Sequence, residues 1–292
     1  MISELDSLPK NEMLKILAVV ILSDGYLCNK EAKYLKLSTC ESADCQHVFF
    51  SFLCKKIFLK DTKRYVIHIK RKNGSVERYL QSNLFSKEAV CALLELNPTY
   101  LTTSKSLSGE EFLKLDQPDI SFLLNSNEQI KLFALRTWFD FDGSISPFFK
   151  LKRKTDIKNG RRYTYYQVQF ECEIRIAETN PALVAQLNQL FMGLGFDGII
   201  KKKNNWSGID GICISKIKDV KRFVRLGPIT DVKISKKSNR FEGIPKKNVC
   251  IAVKKILDDS SILKSRYFKG EREALLYKKK MDLILLNTVK RV

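Results

Sequence analysis

Leu17-Ala-Val-Val-Ile-Leu-Ser-Asp24-Gly25 is the stretch to start from, because Leu135-Arg-Thr-Trp-Phe-Asp-Phe-Asp142-Gly143 repeats its design. Each is an apolar, helix-length run that ends in an Asp-Gly pair. The side chains before the Asp are almost all Leu, Val, Ile, Ala, Phe or Trp, so such a helix expects burial on most of its surface. A Gly just after it suits the left-handed residue that closes many helices. A carboxylate at that end is electrostatically misplaced, since the C-terminus of a helix already carries about half a negative charge. Two such ends side by side would gather carboxylates and free carbonyl oxygens at one point. That is unfavourable alone and well suited to hard divalent cations such as Mg²⁺, which take oxygen ligands and keep several waters.

The two stretches resemble the paired signature helices of the LAGLIDADG homing endonucleases. Aligned on the final Asp-Gly, Leu17, Ala18, Ile21, Asp24 and Gly25 match in the first copy. In the second, Leu135, Asp140, Asp142 and Gly143 match, followed by the equally typical Ser144-Ile145. Asp142 follows Asp24 by 118 residues (142 − 24), the spacing of a single chain carrying two fused repeats. The departures are Val19, Ser23, Thr137 and Phe141, at positions usually small in the family, and Leu22, where the family often has Asp.

With 52 basic against 32 acidic residues the net charge is +20, which points to a polyanionic partner, nucleic acid before a membrane surface. A chain of 292 residues with 44% apolar and 10% aromatic content has room for two domains with real cores. No apolar run approaches the ~20 residues that span a bilayer. The first residues, Met-Ile-Ser-Glu-Leu-Asp, do not resemble a targeting signal. The eight cysteines form no Cys-x-x-Cys pair and have only His47 and His68 to join them, so they read as core residues of a reducing compartment, cytoplasm or organellar matrix.

In chain order, residues 7–24 predict the first signature helix. Tyr34–Cys40 alternates as a strand, and 45–59 has amphipathic helical spacing. From Arg64 to Lys72 the alternation places Tyr65, Ile67 and Ile69 inward and His68, Lys70 and Lys72 outward. Asn73-Gly74 predicts a hairpin turn into a strand near 75–81, and 86–96 a closing helix. Residues 102–127 read as a linker whose last residues suit the cap of the second signature helix. The pattern then recurs. Lys150, Lys152 and Lys154 fall on one face of a strand, Asn159-Gly160 marks a turn, and Gln167, Gln169 and Arg175 share the polar face of the next strand. A helix at 181–194, strands near 198–206 and 211–216, and a helix at 218–226 follow. The last sixty or so residues match no third repeat and hold two lysine-rich helices.

The resemblance implies an α+β fold: two pseudo-symmetric αββαββα repeats whose antiparallel sheets form a DNA-binding saddle, here with a helical C-terminal extension. The expected boundaries are 1–101 and 128–228 for the repeats, 102–127 for the linker and 229–292 for the extension. A ribbon of strands fits the major groove of duplex DNA, so His68, Lys70, Lys72, Lys150, Lys152 and Lys154 are candidate phosphate contacts, and Gln167, Gln169 and Arg175 candidate readers of base edges. By resemblance, Asp24 and Asp142 bind divalent metal with the backbone carbonyls of Ser23 and Phe141. Mg²⁺ is the expected cofactor, and Mn²⁺ or Ca²⁺ are substitutes in binding. Family members place a basic residue near the end of the last strand of each repeat, which corresponds best to Lys216, with Lys218 as the alternative; the first-half match falls near Gln81. The expected activity is site-specific, double-strand DNA hydrolysis by a monomer, intron-encoded or free-standing given the initial Met and the lack of splicing blocks. The alternative is a non-cleaving binder on the same scaffold, an intron RNA maturase or a DNA-binding regulator.

Overall fold

Two helices buried on nearly all sides lie at the centre of the molecule. The computed structural model describes residues 4–30, 33–40, 43–70, 74–102, 109–235 and 239–292. Helix α1 (Lys10–Ser23) buries every residue from Ile16 to Leu22. Helix α6 (Glu128–Asp142) buries Phe133 through Phe141 and is started by Asn127, whose side chain accepts the Ile130 N–H at 3.0 Å. The two helices pack against each other, each a wall of the other's core. Thr137 sits in that core without an orphaned hydroxyl, because it donates to the Phe133 carbonyl at 2.8 Å.

The same order of elements follows each helix. After α1 come β1 (Gly25–Cys28), β2 (Tyr34–Cys40), α2 (Asp44–Phe58), β3 (Lys63–Lys70), β4 (Val76–Phe85) and α3 (Lys87–Leu96). Two short helical segments, α4 (Gly109–Leu113) and α5 (Ser121–Leu124), lead to α6. Then come β5 (Gly143–Lys158), β6 (Arg161–Ile176), α7 (Pro181–Gly193), β7 (Ile199–Lys202), β8 (Ile209–Ile214) and α8 (Ile217–Leu226). The sheets are antiparallel with matching strand orders, β1-β2-β4-β3 and β5-β6-β8-β7. The β5–β6 turn is the one its sequence demands: Asn159 and Gly160 are both left-handed, at φ 53° and 72°.

The C-terminal residues complete the second repeat. Helices α9 (Lys246–Asp258), α10 (Ser260–Leu263) and α11 (Glu271–Lys290) pack with strand β9 (Arg266–Phe268) against the second sheet. Only Ile174–Ile176 of β6 pairs with β8, and β9 pairs with Tyr166–Val168 further along the same strand. Helices α9 and α11 meet β5, so the long β5–β6 hairpin keeps Phe149, Val168 and Phe170 out of water. Among the described residues no helix is long and apolar enough to cross a membrane.

Gly25 and Gly143 are not left-handed caps. Gly143 opens β5 with extended backbone, φ −86° and ψ 154°. Its glycine character is required by clearance, since a Cβ there would lie 2.3 Å from the Phe139 carbonyl oxygen and 2.4 Å from the Phe139 Cα. At Gly25 a Cβ would meet the Ile21 Cα at 2.5 Å. Each chain thus turns from helix to strand in contact with the preceding helical turn. Gly143→Ala should therefore destabilise the fold by ~1–3 kcal/mol, the usual cost of overpacking, as read from the urea midpoint.

Candidate active site

The packing of α1 on α6 brings Asp24 and Asp142, one at each helix C-terminus, into mutual electrostatic contact. Burial raises the pKa of the Asp142 carboxyl well above the ordinary carboxylate value, and the nearby Asp24 and Glu178 push it further; Lys246 and the adjoining Ser23 hydroxyl act the other way. Asp24 is raised by burial as well, with Lys246 opposing. A crowded pair of this kind is poised to accept a cation.

The carbonyls at the end of α6 are almost all taken. Phe139 O accepts the Gly143 N–H, and Asp142 O accepts the Ala177 N–H at 3.0 Å. Asp140 O accepts from Gln46 Nε2 at 2.9 Å and from Lys246 Nζ at 2.9 Å. Phe141 O alone of these four has no donor among the described residues. It is the carbonyl that the sequence resemblance nominates as a metal ligand. Neither the Asp24 nor the Asp142 carboxyl forms an ion pair within 4.0 Å among the described residues, so both keep acceptor capacity. Two carboxylates and a free carbonyl fit a Mg²⁺ ion that retains several waters. Among the described residues no cluster of three or more His, Cys, Asp and Glu side chains offers an all-protein cage. Asp24, Phe141 and Lys246 line a cavity of about 310 Å³ together with Gln46, Tyr79, Ser144 and Lys233.

Lys246 is the residue that sequence reasoning missed. It is 6% exposed, and its ammonium donates to Phe139 O at 2.7 Å and to Asp140 O at 2.9 Å. It opens α9, where the helix dipole disfavours a cation, and its stabilisation comes from the negative end of α6 opposite. Burial lowers its pKa; Asp140, Asp142 and Asp24 all oppose that shift. The signal was present in part, because Pro245-Lys246 precedes an apolar-periodic helix. It lay in a segment read as an appendage, far along the chain from either Asp.

Asp140, though a motif position, is an anchor. It is fully buried, and its Oδ2 accepts the Ile229 and Thr230 N–H groups at 3.1 and 2.7 Å. Burial lifts its carboxyl to about 7. It thereby fixes the strand-like segment that leads to Lys246. Glu178, also lifted to about 7 by burial, accepts the Thr179 and Asn180 N–H groups and adds negative charge near Asp142. His47 is a core residue wedged between Thr39 and Ser82 at 2.8 Å each, not a metal ligand.

Lys216 does not join this centre. It is exposed and paired with Asp197 at 2.7 Å, and the cation that acts on both Asp24 and Asp142 is Lys246.

Strand register decides which side chains face the concave surface. In the second sheet, Lys150 pairs with Gln169, Lys152 with Gln167 and Lys154 with Tyr165, and Arg175 lies three alternate positions beyond Gln169 on the same face. All lie opposite the buried row Val168, Phe170, Cys172, Ile174 and Ile176. Much of their charge is internally matched: Lys150 and Lys152 reach Glu171 at 3.3 and 2.8 Å, and Arg175 reaches Asp210 at 2.8 Å. In the first sheet the expected faces are reversed. Val66 pairs with the buried Leu80, and His68 with Arg78 and Lys70 with Val76 on that same side. Tyr65, Ile67 and Ile69 instead share the concave face with Gln81, Tyr79 and Glu77. The outer half of β3 projects past the helices, so both of its faces meet water and hydropathy does not tell them apart. Lys72 lies outside the described residues.

Two repeats of identical order, joined through paired acid-ended helices, give the architecture that the sequence motif implies. The fold is the one that the sequence resemblance implies, two like repeats with matching antiparallel sheets. No family model and no curated protein matches it. Solved structures similar to this chain include the homing endonuclease I-WcaI bound to its DNA recognition sequence, 17% identical over 74% of this chain and 80% of that one, with a TM-score of 0.46. Another is the meganuclease I-SmaMI bound to uncleaveable DNA, 12% identical over 94% and 98% of the two chains, TM-score 0.48. A third is I-DmoI in complex with DNA and Ca, 14% identical over 75% and 94%, TM-score 0.45.

Proposed function

We propose that the protein is a site-specific DNA endonuclease that binds duplex DNA as a monomer across its two sheets and hydrolyses both strands at the Asp24–Asp142 centre. The observation that carries this reading is the meeting of two helix-end carboxylates beside an unsatisfied carbonyl, with Asp24 and Phe141 lining a cavity. Asp24 and Asp142, with the Ser23 and Phe141 carbonyls, would hold Mg²⁺. When bound, such an ion supplies an activated water and charge neutralisation at the phosphorus. Lys246 holds the end of α6 in place through two carbonyls and offsets part of the negative charge of the crowded acids. Lys150 and Lys152 exchange Glu171 for phosphates, Lys154 meets phosphate beside them, and Gln167, Gln169 and Arg175 face base edges.

One observation favours a second reading, a non-cleaving DNA or RNA binder. Lys246 already neutralises part of the acid pair from within, so the centre has a resident cation. A randomised duplex library incubated with Mg²⁺ separates the two. The nuclease yields one enriched cut sequence, and loss of cutting without loss of binding when EDTA replaces Mg²⁺. Retained duplexes with no ends generated would overturn the nuclease reading and leave the binder.

A further inference from the structure

The concave face of the first sheet carries an exposed row of aromatic rings that phosphate or base-edge contacts to a duplex do not use. Tyr26 follows Asp24 by two residues and pairs across the sheet with Lys36; Tyr34 pairs with Phe85. These four lie on the face opposite the buried Leu35, Leu37 and Leu84, the face that carries Ser38, Cys40 and Tyr79 at the cavity. Tyr26 and Tyr34 have ring centroids 6.2 Å apart, and Tyr34 and Phe85 5.6 Å apart, so the rings form one line leading outward from the acid centre. Lys36 Nζ stands 4.9 Å from the Tyr26 centroid. Tyr26 is 46% exposed and Phe85 52%.

Cross-strand aromatic pairs stabilise sheets, which accounts for the ring-to-ring contacts but not for outer faces left in water. Flat π-faces beside a lysine, on a +20 chain, match the chemistry of an unpaired nucleobase on a polyanionic strand. A duplex keeps its base faces stacked within the helix and offers none to such a row. We propose that Tyr26, Tyr34 and Phe85 form a stacking platform for unpaired nucleobases, so that the protein binds single-stranded nucleic acid beside its acid centre. This rests on the nucleic-acid-binding half of the proposed function and is independent of cleavage.

Fluorescence anisotropy of the full chain in EDTA tests it, with labelled oligo-rU and oligo-dT of about 12 nucleotides, a length within the site sizes of stacking grooves, and a matched duplex. Tyr26→Ala and Phe85→Ala should each weaken single-strand binding by ~5- to ~150-fold, the equivalent of ~1–3 kcal/mol per stacked base. Duplex binding should fall by far less than single-strand binding in each variant. Phe85→Tyr should retain both affinities, which separates ring loss from misfolding. Tighter binding of rU identifies RNA as the source of the bases, and tighter binding of dT a locally opened DNA strand. The proposal is overturned if the wild type binds duplex but not single strands, or if the alanine variants leave single-strand affinity unchanged or lower duplex affinity in parallel. Binding to no nucleic acid at all would overturn the proposed function along with it.

Discussion

Asp24→Asn and Asp142→Asn should each reduce double-strand cleavage by ~10³-fold or more, since a bound metal contributes several kcal/mol to the barrier and each 1.36 kcal/mol is tenfold. Both variants should bind target duplex in Ca²⁺ like the wild type. They should also be more stable than the wild type. The two carboxyls are raised above their ordinary value by burial, and Asp142 also by Asp24, so the folded state disfavours the charged forms that the unfolded chain carries freely. The sign follows: a carboxyl with a raised folded-state pKa favours folding at pH below its ordinary 3.8 and loses that contribution as pH rises through the raised value. The gain in melting temperature from Asp142→Asn should therefore be largest at neutral pH and vanish near pH 4. A variant that loses cleavage while gaining stability marks a site held under electrostatic strain for function. Normal cutting by either variant would remove both acids from the mechanism.

The order of elements was legible because it depends on local chemistry. Asn127 as a cap, Asn159-Gly160 as a tight turn and the alternation of Val168 to Ile176 each act within a few residues of chain. The two signature helices were legible for the same reason, and their Asp-Gly ends gave the site's first two residues. What was not legible depended on register and on distant packing. The alternation in β3 was visible, but its face was set by pairing with β4, where Val66 meets Leu80 and not the concave surface. The role of Gly143 was misread as a backbone angle when it is a clearance of 2.3 Å to Phe139 O. Lys246 was hidden by its position in the extension, since only the anchoring of Ile229 and Thr230 on Asp140 brings that segment under α6. A buried lysine is silent in sequence because its partners are backbone carbonyls, which carry no residue identity.

Lys246→Met should destabilise the protein by ~3–5 kcal/mol, the cost of removing one member of a buried charge cluster. Methionine fills similar volume, so the loss is not a cavity effect. It arises because Phe139 O and Asp140 O lose a charged donor at 2.7 and 2.9 Å and three acids lose their shared counter-charge. Those two contributions separate in a double-mutant cycle. Asp140→Asn removes one of the acids while leaving the carbonyl contacts in place, so Lys246→Met in that background should cost less than in the wild type, and the difference measures the charge coupling. Activity supplies a readout that a purely structural lysine would not move. Lys246 lowers the pKa of both Asp24 and Asp142, so its removal raises them, and the acid limb of the cleavage pH profile should shift to higher pH. At a pH above that limb, cleavage by Lys246→Met should recover towards wild type wherever the protein remains folded. An unshifted limb with a uniform loss of rate would reduce Lys246 to a fastener of helix α6, and the charge balance of the acid pair would then rest on the metal alone.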